Sequence, residues 1–291
     1  MRPLRILVLL VPFFLDLPVR AQQNTPPFPT RPTANTQPLI PLSTAPQTPI
    51  PAPTPTLVRD PRALASVQTT LNALGGNAAL SQVQTWEAQA AAQGINEMAS
   101  ISYTLNWEAA GTEYRIQSSL TGQSGLIVTG HGNPAFVGNG TSSALPTYII
   151  GSLLIPAFAP SILFSEFQDP NHSIEYGGTT TLNSKAVIVI WTFSTVPSAN
   201  FSVTAQTWYL DSQTGLPDRL EYRIPAMKNP RVWSTGALDF STWRPVSGVL
   251  YPFQITRYEN GRKIEVLTIQ SATVNATIAP SDFDPPTGGA Q

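Results

Sequence analysis

The sequence predicts an α+β domain in which a strongly curved antiparallel β-meander of about ten or eleven strands, a half-barrel, follows an N-terminal helix and is closed by short apolar helices. Three observations predict this class. Apolar and polar residues alternate along many short stretches, turn residues separate those stretches, and one 23-residue interval is almost entirely apolar. Few neighbouring strands are separated by enough chain for a crossover helix, so we expect them to pair in antiparallel order.

The composition of the 291-residue chain excludes several functional classes. The chain has no cysteine, which excludes a disulfide framework, a thiolate metal site and a cysteine nucleophile. Two histidines are too few for a three-histidine zinc site. The net charge of −1 gives none of the basic excess that is typical of nucleic-acid binding. We predict no metal, no cofactor and no nucleic-acid partner.

Residues 1–21 have the pattern of a cleavable signal peptide. Arg2 and Arg5 precede the apolar run from Ile6 to Leu15, and Ala21 is a small residue at the expected cleavage point. A run of about ten residues is shorter than the about 20 that a membrane-spanning helix needs. We therefore predict a periplasmic or extracellular protein, with an uncleaved signal anchor as the alternative.

The next segment, residues 22–58, is predicted to be a disordered linker. Its 37 residues include 11 prolines, 8 threonines and a single charge, Arg31. Proline has no backbone N–H to donate, so these residues cannot pair as strands or continue a helix. The expected state is extended and solvated, and a role in tethering or spacing follows from it. Residues 59–291 form the predicted folded domain.

The domain is predicted to begin with a helix. Asp60 is a good N-cap, and Pro61 suits the first helical position. Apolar residues then recur at helical spacing until Gly75-Gly76, a pair that is typical of a helix end. A short second helix, about Asn77 to Val83, is expected to lead into the first strand.

Alternation with a period of two dominates the rest of the domain. It is clear in the stretches Ile101–Trp107 and Leu220–Ile224, each of which has one apolar and one polar face. Asn260-Gly261 lies between two such stretches and predicts a type I′ hairpin. Asp211–Gly215 and Asn183-Ser184 are predicted to form further turns.

The apolar interval runs from Leu145 to Phe167, and Glu166 is its only charged residue. Pro156 and Pro160 predict two short apolar helices rather than one continuous helix or a membrane span. We expect these helices to pack on the concave face of the sheet, an arrangement that commonly encloses a ligand cavity. The candidate cavity residues come from this interval and from three strands: Trp107, Tyr148, Ile149, Leu153, Leu154, Phe158, Ile162, Leu163, Trp191 and Trp208.

No residue pattern identifies a catalytic or metal site. Four ionisable residues recur at intervals of three, as in a metal-binding stripe on a helix: Glu166, Asp169, His172 and Glu175. Pro170 interrupts that helix, so a solvated loop before a strand is the favoured interpretation. The chain has no Gly-x-Ser-x-Gly elbow, no Gly-x-Gly-x-x-Gly loop before a helix and no Walker motif. We predict that the protein is not an enzyme and has no catalytic residues.

The order of these elements resembles the LolA/LolB-type lipoprotein carriers and their lipid-binding relatives: a helix ending in Ala73–Gly76, a polar start to the sheet, an apolar helical interruption and a long meander. A closer resemblance is to uncharacterised exported proteins of the acidobacterial type, through Asp169–Val187, Tyr209–Tyr222 and Tyr251–Asn275. The likeness covers roughly Pro61 to Pro285. It implies a LolA-like half-barrel over the domain, whose cavity holds acyl chains in the carriers. No carrier-specific functional residue matches a position here, so the implied ligand rests on analogy of fold.

These observations predict an exported, monomeric, non-enzymatic protein that holds a hydrophobic ligand between the sheet and the apolar helices. The expected ligand is a lipid or the acyl chain of a lipoprotein, and an envelope protein is an expected partner. The alternative is an envelope structural or interaction protein with a filled core and no small-molecule ligand. Its function would lie on the outer surface or in the Pro/Thr-rich segment.

Overall fold

The structure is a computed structural model that describes residues 56–95, 100–120, 123–130, 133–138, 141–196, 204–226 and 229–285, with the backbone alone at 150–160 and 229–231. The described residues form three α-helices, thirteen strands and a short 3₁₀ helix, Pro280–Phe283. The helices are α1 (Pro61–Ala73), α2 (Gly76–Ser81) and α3 (Thr147–Gln168). The strands are β1 (Thr85–Ile95), β2 (Ser100–Ala110), β3 (Glu113–Leu120), β4 (Gln123–Val128), β5 (Ala135–Gly138), β6 (Thr141–Ala144), β7 (His172–Leu182), β8 (Lys185–Ser194), β9 (Gln206–Asp211), β10 (Pro217–Ala226), β11 (Asn229–Val246), β12 (Val249–Glu259) and β13 (Arg262–Val274).

All thirteen strands belong to one curved open sheet in the order β6-β5-β4-β3-β2-β1-β13-β12-β11-β10-β9-β8-β7. Every neighbouring pair is antiparallel, which confirms the predicted meander. The chain runs outward from β1 to one edge at β6, then starts again at the other edge with β7 and returns until β13 pairs with β1. The helix α3 lies between β6 and β7 in sequence and therefore connects the two edges of the sheet.

The turns follow the local sequence signals. Asn260 and Gly261 have φ angles of 48° and 77°, the positive values that a type I′ hairpin turn requires. Asn183 and Ser184 also have positive φ angles, 49° and 65°. The carboxylate of Asp211 accepts two backbone hydrogen bonds from its own turn, at 2.8 and 2.9 Å. The three predicted turns are therefore confirmed.

The N-terminal helix also begins as the sequence predicts. The carboxylate of Asp60 accepts a hydrogen bond from the backbone N–H of Arg62 at 2.8 Å, which is an N-cap contact. At the other end, the corner between α1 and α2 packs on the turn between β11 and β12. The backbone N–H of Leu250 donates to the carbonyl of Leu74 at 2.8 Å and joins this corner to the sheet.

The described chain begins with a short segment that lies alongside β7. Ile174 donates its backbone N–H to the carbonyl of Val58 at 2.8 Å, and Asp60 donates to the carbonyl of Ile174 at 3.0 Å. Arg59 and Ile174 form a parallel bridge. The predicted signal peptide and nearly all of the predicted linker lie in residues 1–55, outside the described residues, so those two boundaries stay predictions.

The apolar interval forms one helix, not the two that its prolines predict. The helix α3 continues from Thr147 to Gln168 through Pro156 and Pro160. Each internal proline removes one backbone hydrogen bond, but packing against neighbouring elements can offset that loss. α3 packs against β10 most extensively, and also against β7, β11, β12, α1 and α2. No helix among the described residues is sufficiently long and apolar to be a candidate membrane span.

Candidate functional site

The face of the sheet that α3 covers, here called the inner face, is apolar beneath the helix. Trp208 of β9 lies opposite Ile190 of β8 and opposite Leu220 of β10, and Leu220 lies opposite Leu238 of β11. Residues that are directly paired in an antiparallel sheet share a face. All four side chains are fully buried, and they belong to the same core cluster as Leu163 of α3. Trp208 therefore lies in the floor beneath the covering helix.

Trp107 lies in the same buried cluster, on β2. It is opposite Ala88 of β1 and Ile116 of β3. The small side chain of Ala88 on the neighbouring strand leaves room for the Trp107 indole. Trp107 and Trp208 are thus both interior residues, and their role as walls of a ligand cavity stays a prediction.

Trp191 lies on the other face of the sheet. It pairs with Thr207 on β9, whereas its neighbours Ile190 and Thr192 lie on the inner face with Trp208. Its indole packs over Gly177 of β7, where a Cβ atom would lie 3.1 Å from the ring. The structure therefore does not bring Trp191 together with the other candidate residues.

The candidate residues of α3 differ in burial. Ile149 and Leu163 are buried, with exposed fractions of 1% and 0%. Tyr148 and Ile162 are half-buried, and Tyr148 donates its hydroxyl to the carbonyl of Ala226 at 3.5 Å. The side chains of the other three lie outside the described residues: Leu153, Leu154 and Phe158.

The described part of the interior is filled by side chains. Trp107 and Trp208 have exposed fractions of 2% and 0%, so water does not reach them. Burial at this level leaves no solvent-sized space beside these rings. A hydrophobic ligand that contacted this floor would therefore have to displace residues of α3.

Glu166, the only charged residue of the apolar interval, is buried in this interior with an exposed fraction of 6%. This contradicts its interpretation as part of a solvated loop. Burial raises the pKa of Glu166 to about 8, and hydrogen bonding by Thr192, Trp208 and Gln206 opposes that rise. The burial of Glu166 could have been predicted from its position as the only charged residue in a long apolar run. A helix of that composition packs on a sheet and buries part of its surface, and Glu166 can lie in the buried part.

The polar groups around Glu166 are incompletely paired. Four buried atoms have no hydrogen-bond partner of good geometry among the described residues: Oε2 of Glu166, Oγ1 of Thr192, Oε1 of Gln206 and Nε1 of Trp208. Buried polar groups in proteins usually have partners, and an unsatisfied one costs about 1–3 kcal/mol. Glu166 of α3 therefore makes hydrogen bonds of poor geometry with the polar side chains of the sheet.

A second polar cluster on the inner face is tightly paired. Arg257 on β12 lies directly opposite Glu265 on β13 and donates Nη1–H to its Oε2 at 2.7 Å. Tyr103 of β2 donates its hydroxyl to the other oxygen, Oε1. Burial raises the pKa of Glu265 to about 8, while the adjacent guanidinium favours the ionised form. Both oxygens of Glu265 have hydrogen-bond partners within the protein, so we interpret this cluster as part of the folded core and not as a ligand site.

The four ionisable residues that recur at intervals of three in the sequence do not form a metal-binding stripe. His172 and Asp169 pair with each other, with 2.9 Å between Nδ1 and Oδ2, while Glu166 lies in the interior. No group of three or more potential metal ligands occurs in the part of the chain that the structure describes.

No family model matches this sequence. A search of curated proteins also finds no match. Solved structures do match the fold. A domain provisionally described as outer membrane lipoprotein-sorting, from Vibrio parahaemolyticus, has a TM-score of 0.50 and 12% identity, over 77% of this chain and 96% of that one. A LolA superfamily protein from Nitrosomonas europaea has a TM-score of 0.49 and 9% identity, over 76% and 97%.

The first of these likenesses shows the fold alone: the chain shares the half-barrel fold of that domain. This confirms the fold that the sequence resemblance implies. The closer likeness to exported acidobacterial-type proteins stays a prediction.

Proposed function

We propose that this chain is an exported, non-enzymatic carrier that holds a hydrophobic ligand, a lipid or the acyl chain of a lipoprotein, between the inner face and α3. The observation that carries the proposal is the composition and position of α3. Its 22 residues include one charge, Glu166, and that charge is buried towards the sheet. The helix has no charged residue with which to face water.

α3 has more apolar surface than the sheet covers. Ile162, Phe164 and Phe167 are only half-buried, although Leu163 between them is fully buried. A helix that is apolar all round is normally covered on all sides. Here the sheet lies on one side of it, and α1 and α2 add smaller contacts. This surplus is apolar surface that a hydrophobic ligand could cover.

The energetics of such an exchange suit a carrier. Each methylene group that leaves water contributes about 0.8 kcal/mol, whether it belongs to a ligand or to α3. An acyl chain that takes the place of α3 on Trp208 restores the apolar contacts that the helix gives up. The net free energy is then a small difference between similar terms, which permits both loading and release.

The proposed location and partners rest on the sequence. A cleaved signal peptide at residues 1–21 would deliver the protein to the periplasm or the cell exterior. The Pro/Thr-rich linker at 22–58 would space the domain from a surface or from an envelope protein partner. The domain would act as a monomer, since one sheet and one covering helix make the complete site.

A second candidate function is supported by the packing of the interior. Because Trp107, Trp208 and Leu163 are at most 2% exposed, the domain is also consistent with an interaction protein that has a filled core. Such a protein would bind its partners through the outer face of the sheet and would take no lipid.

Quenching of tryptophan fluorescence by dibrominated stearate separates the two functions, because bromine quenches an indole only at contact. The carrier predicts saturable quenching of the delipidated protein. Trp208→Phe, on the inner face, is expected to lose a large part of that quenching. Trp191→Phe, on the outer face, is the matched control and is expected to leave the quenched component intact. Absence of saturable quenching, or its loss in Trp191→Phe alone, would favour the interaction protein.

A further inference from the structure

Three hydrogen-bond donors lie side by side on the inner face beneath the C-terminal part of α3. Thr192 of β8 is directly opposite Gln206 of β9, and Trp208 lies two residues further along β9 on the same face. Their exposed fractions are 0%, 8% and 0%. An alcohol O–H, an amide N–H and an indole N–H thus converge at one buried place.

These donors surround a carboxyl group that the chain itself supplies. The side chains of Thr192, Trp208 and Gln206 lie near enough to the Glu166 carboxyl group to lower its pKa, against the larger effect of burial. The charge that acts on Glu166 through space is another acid, Asp169, rather than a cation. Thr192, Gln206 and Trp208 therefore form a pocket for a carboxyl group, here called the carboxyl receptor, and its hydrogen-bond donors are all neutral.

The fit between this receptor and Glu166 is imperfect. Oε2 of Glu166, Oγ1 of Thr192 and Nε1 of Trp208 lack hydrogen bonds of good geometry among the described residues. Glu166 is fixed to a helix whose position is set by other contacts, including the burial of Leu163. A carboxylate that is free to adjust its position can satisfy these donors better.

We propose that Thr192, Gln206 and Trp208 form the binding pocket for the carboxyl group of a free fatty acid, and that Glu166 occupies this pocket while α3 is docked. The inference rests on the carrier function proposed above and names its ligand class. α3 resembles such a ligand in composition, because it is an apolar segment with a single carboxyl group, that of Glu166, near one end. A fatty acid takes over both parts, with its chain on the apolar floor and its carboxylate on the three donors.

This assignment predicts a preference among lipids. Esterified and amide-linked acyl chains have no carboxylate, and a long-chain alcohol has only a hydroxyl group to offer. A carboxyl group offers two oxygens to the three donors, whereas an alcohol offers one, so the free acid gains the most from them. The protein is expected to bind palmitate at least about tenfold more tightly than hexadecanol.

The test compares palmitate with hexadecanol on the wild type and on two isosteric variants, by titration below the critical micelle concentration. Thr192→Val removes one receptor donor, so the affinity for palmitate is expected to fall about tenfold while that for hexadecanol changes little. Thr207→Val is the matched control. Thr207 is on the same pair of strands, is 2% exposed and also has an unpartnered hydroxyl, but it lies on the outer face. It is expected to change neither affinity.

A third variant tests the role of Glu166. Glu166→Ala removes the internal occupant of the pocket and is expected to increase the affinity for palmitate. Equal binding of palmitate and hexadecanol, or an equal loss of both in Thr192→Val, would overturn the carboxylate pocket and leave the carrier function standing. Binding of neither ligand by any variant would overturn the carrier function as well. Circular dichroism checks that each variant is folded.

Discussion

Arg59 donates Nη2–H to the backbone carbonyl of Phe167, at 2.7 Å, and so joins the start of the described chain to the C-terminal end of α3. The same guanidinium donates to the carbonyls of Asp169 and His172, at 2.9 and 3.2 Å. The last carbonyls of a helix have no partners within the helix, and a cation near them is stabilising. One side chain thus connects the covering helix with the segment that follows the Pro/Thr-rich linker.

Arg59→Ala is expected to lower the free energy of unfolding by about 2–3 kcal/mol, because three backbone carbonyls lose a charged hydrogen-bond donor. Arg59→Lys retains the charge and is expected to recover some of the loss. Urea unfolding followed by circular dichroism measures both. Arg62→Ala serves as the control, since its guanidinium is largely exposed and little change is expected. If Arg59→Ala were as stable as Arg62→Ala, the contact with α3 would contribute nothing.

Gly75 and Gly76 offer a matched test of how the helical corner packs on the sheet. Both have positive φ angles, 127° and 85°. A Cβ atom on Gly75 would overlap the carbonyl oxygen of Gly248 and lie 3.0 Å from Cα of Val249, whereas one on Gly76 would meet nothing within 4 Å. Gly76→Ala is expected to cost about 1–2 kcal/mol from backbone conformation alone. Gly75→Ala adds a collision with backbone atoms that cannot move aside.

Thermal and urea unfolding of the two variants compare these costs directly. The expected order of stability is wild type, then Gly76→Ala, then Gly75→Ala. Equal losses would mean that the corner does not press against the turn between β11 and β12.

The ion pair between Arg257 and Glu265 makes a prediction about buried charge. Arg257→Met leaves the Glu265 carboxylate uncompensated in the interior and is expected to cost about 3–5 kcal/mol of stability. The double variant Arg257→Met/Glu265→Gln removes both charges and keeps an acceptor for Tyr103, so most of that loss should be regained. A double-mutant cycle in urea measures the coupling. Additive effects of the two substitutions would show that the pair is not coupled.

The buried Glu166 predicts that stability depends on pH. Burial raises its pKa in the folded protein to about 8, above the ordinary value of 4.5. Between these two pH values the folded state binds more protons than the unfolded state, so the free energy of unfolding falls as the pH rises through this window. Below the window both states are protonated, and the penalty is absent.

Glu166→Gln cannot ionise and is therefore expected to lose less stability between about pH 5 and pH 8 than the wild type loses. Urea midpoints across this range provide the measurement. The same pH slope in both proteins would contradict the burial of an ionisable Glu166.

Local sequence signals predicted those parts of the fold that depend on backbone conformation. Asn260-Gly261 tolerates positive φ angles better than most residue pairs, so its turn could be predicted without knowing what it packs against. The same holds for the cap at Asp60. The strand number was underestimated, since the described residues contain thirteen strands. Two of them, β5 and β6, have four residues each and show little alternation.

Two features depend on tertiary packing and could not be predicted from the sequence: the continuity of α3 and the face of the sheet on which Trp191 lies. Pro156 and Pro160 predict a break in a helix, but their cost is a few kcal/mol and packing of the flanking turns can exceed it. β8 is apolar on both faces from Val187 to Phe193, so its alternation could not show which face is inward. Only the register with β9 separates Trp191 from Trp208. The carboxyl receptor was missed because its donors lie on two strands that are far from Glu166 in sequence.

The central claim is that α3 occupies the position of the ligand, and labelling of a single cysteine tests it, since the natural chain has none. In Leu163→Cys the thiol is buried beneath α3, and in Ser165→Cys it is exposed on the same helix. Saturating palmitate is expected to accelerate maleimide labelling of the cysteine at position 163 at least about tenfold, as the helix leaves the sheet, and to leave the rate at position 165 unchanged. If palmitate saturates the protein while the cysteine at position 163 keeps its slow rate, α3 does not give way to the ligand and the account is wrong.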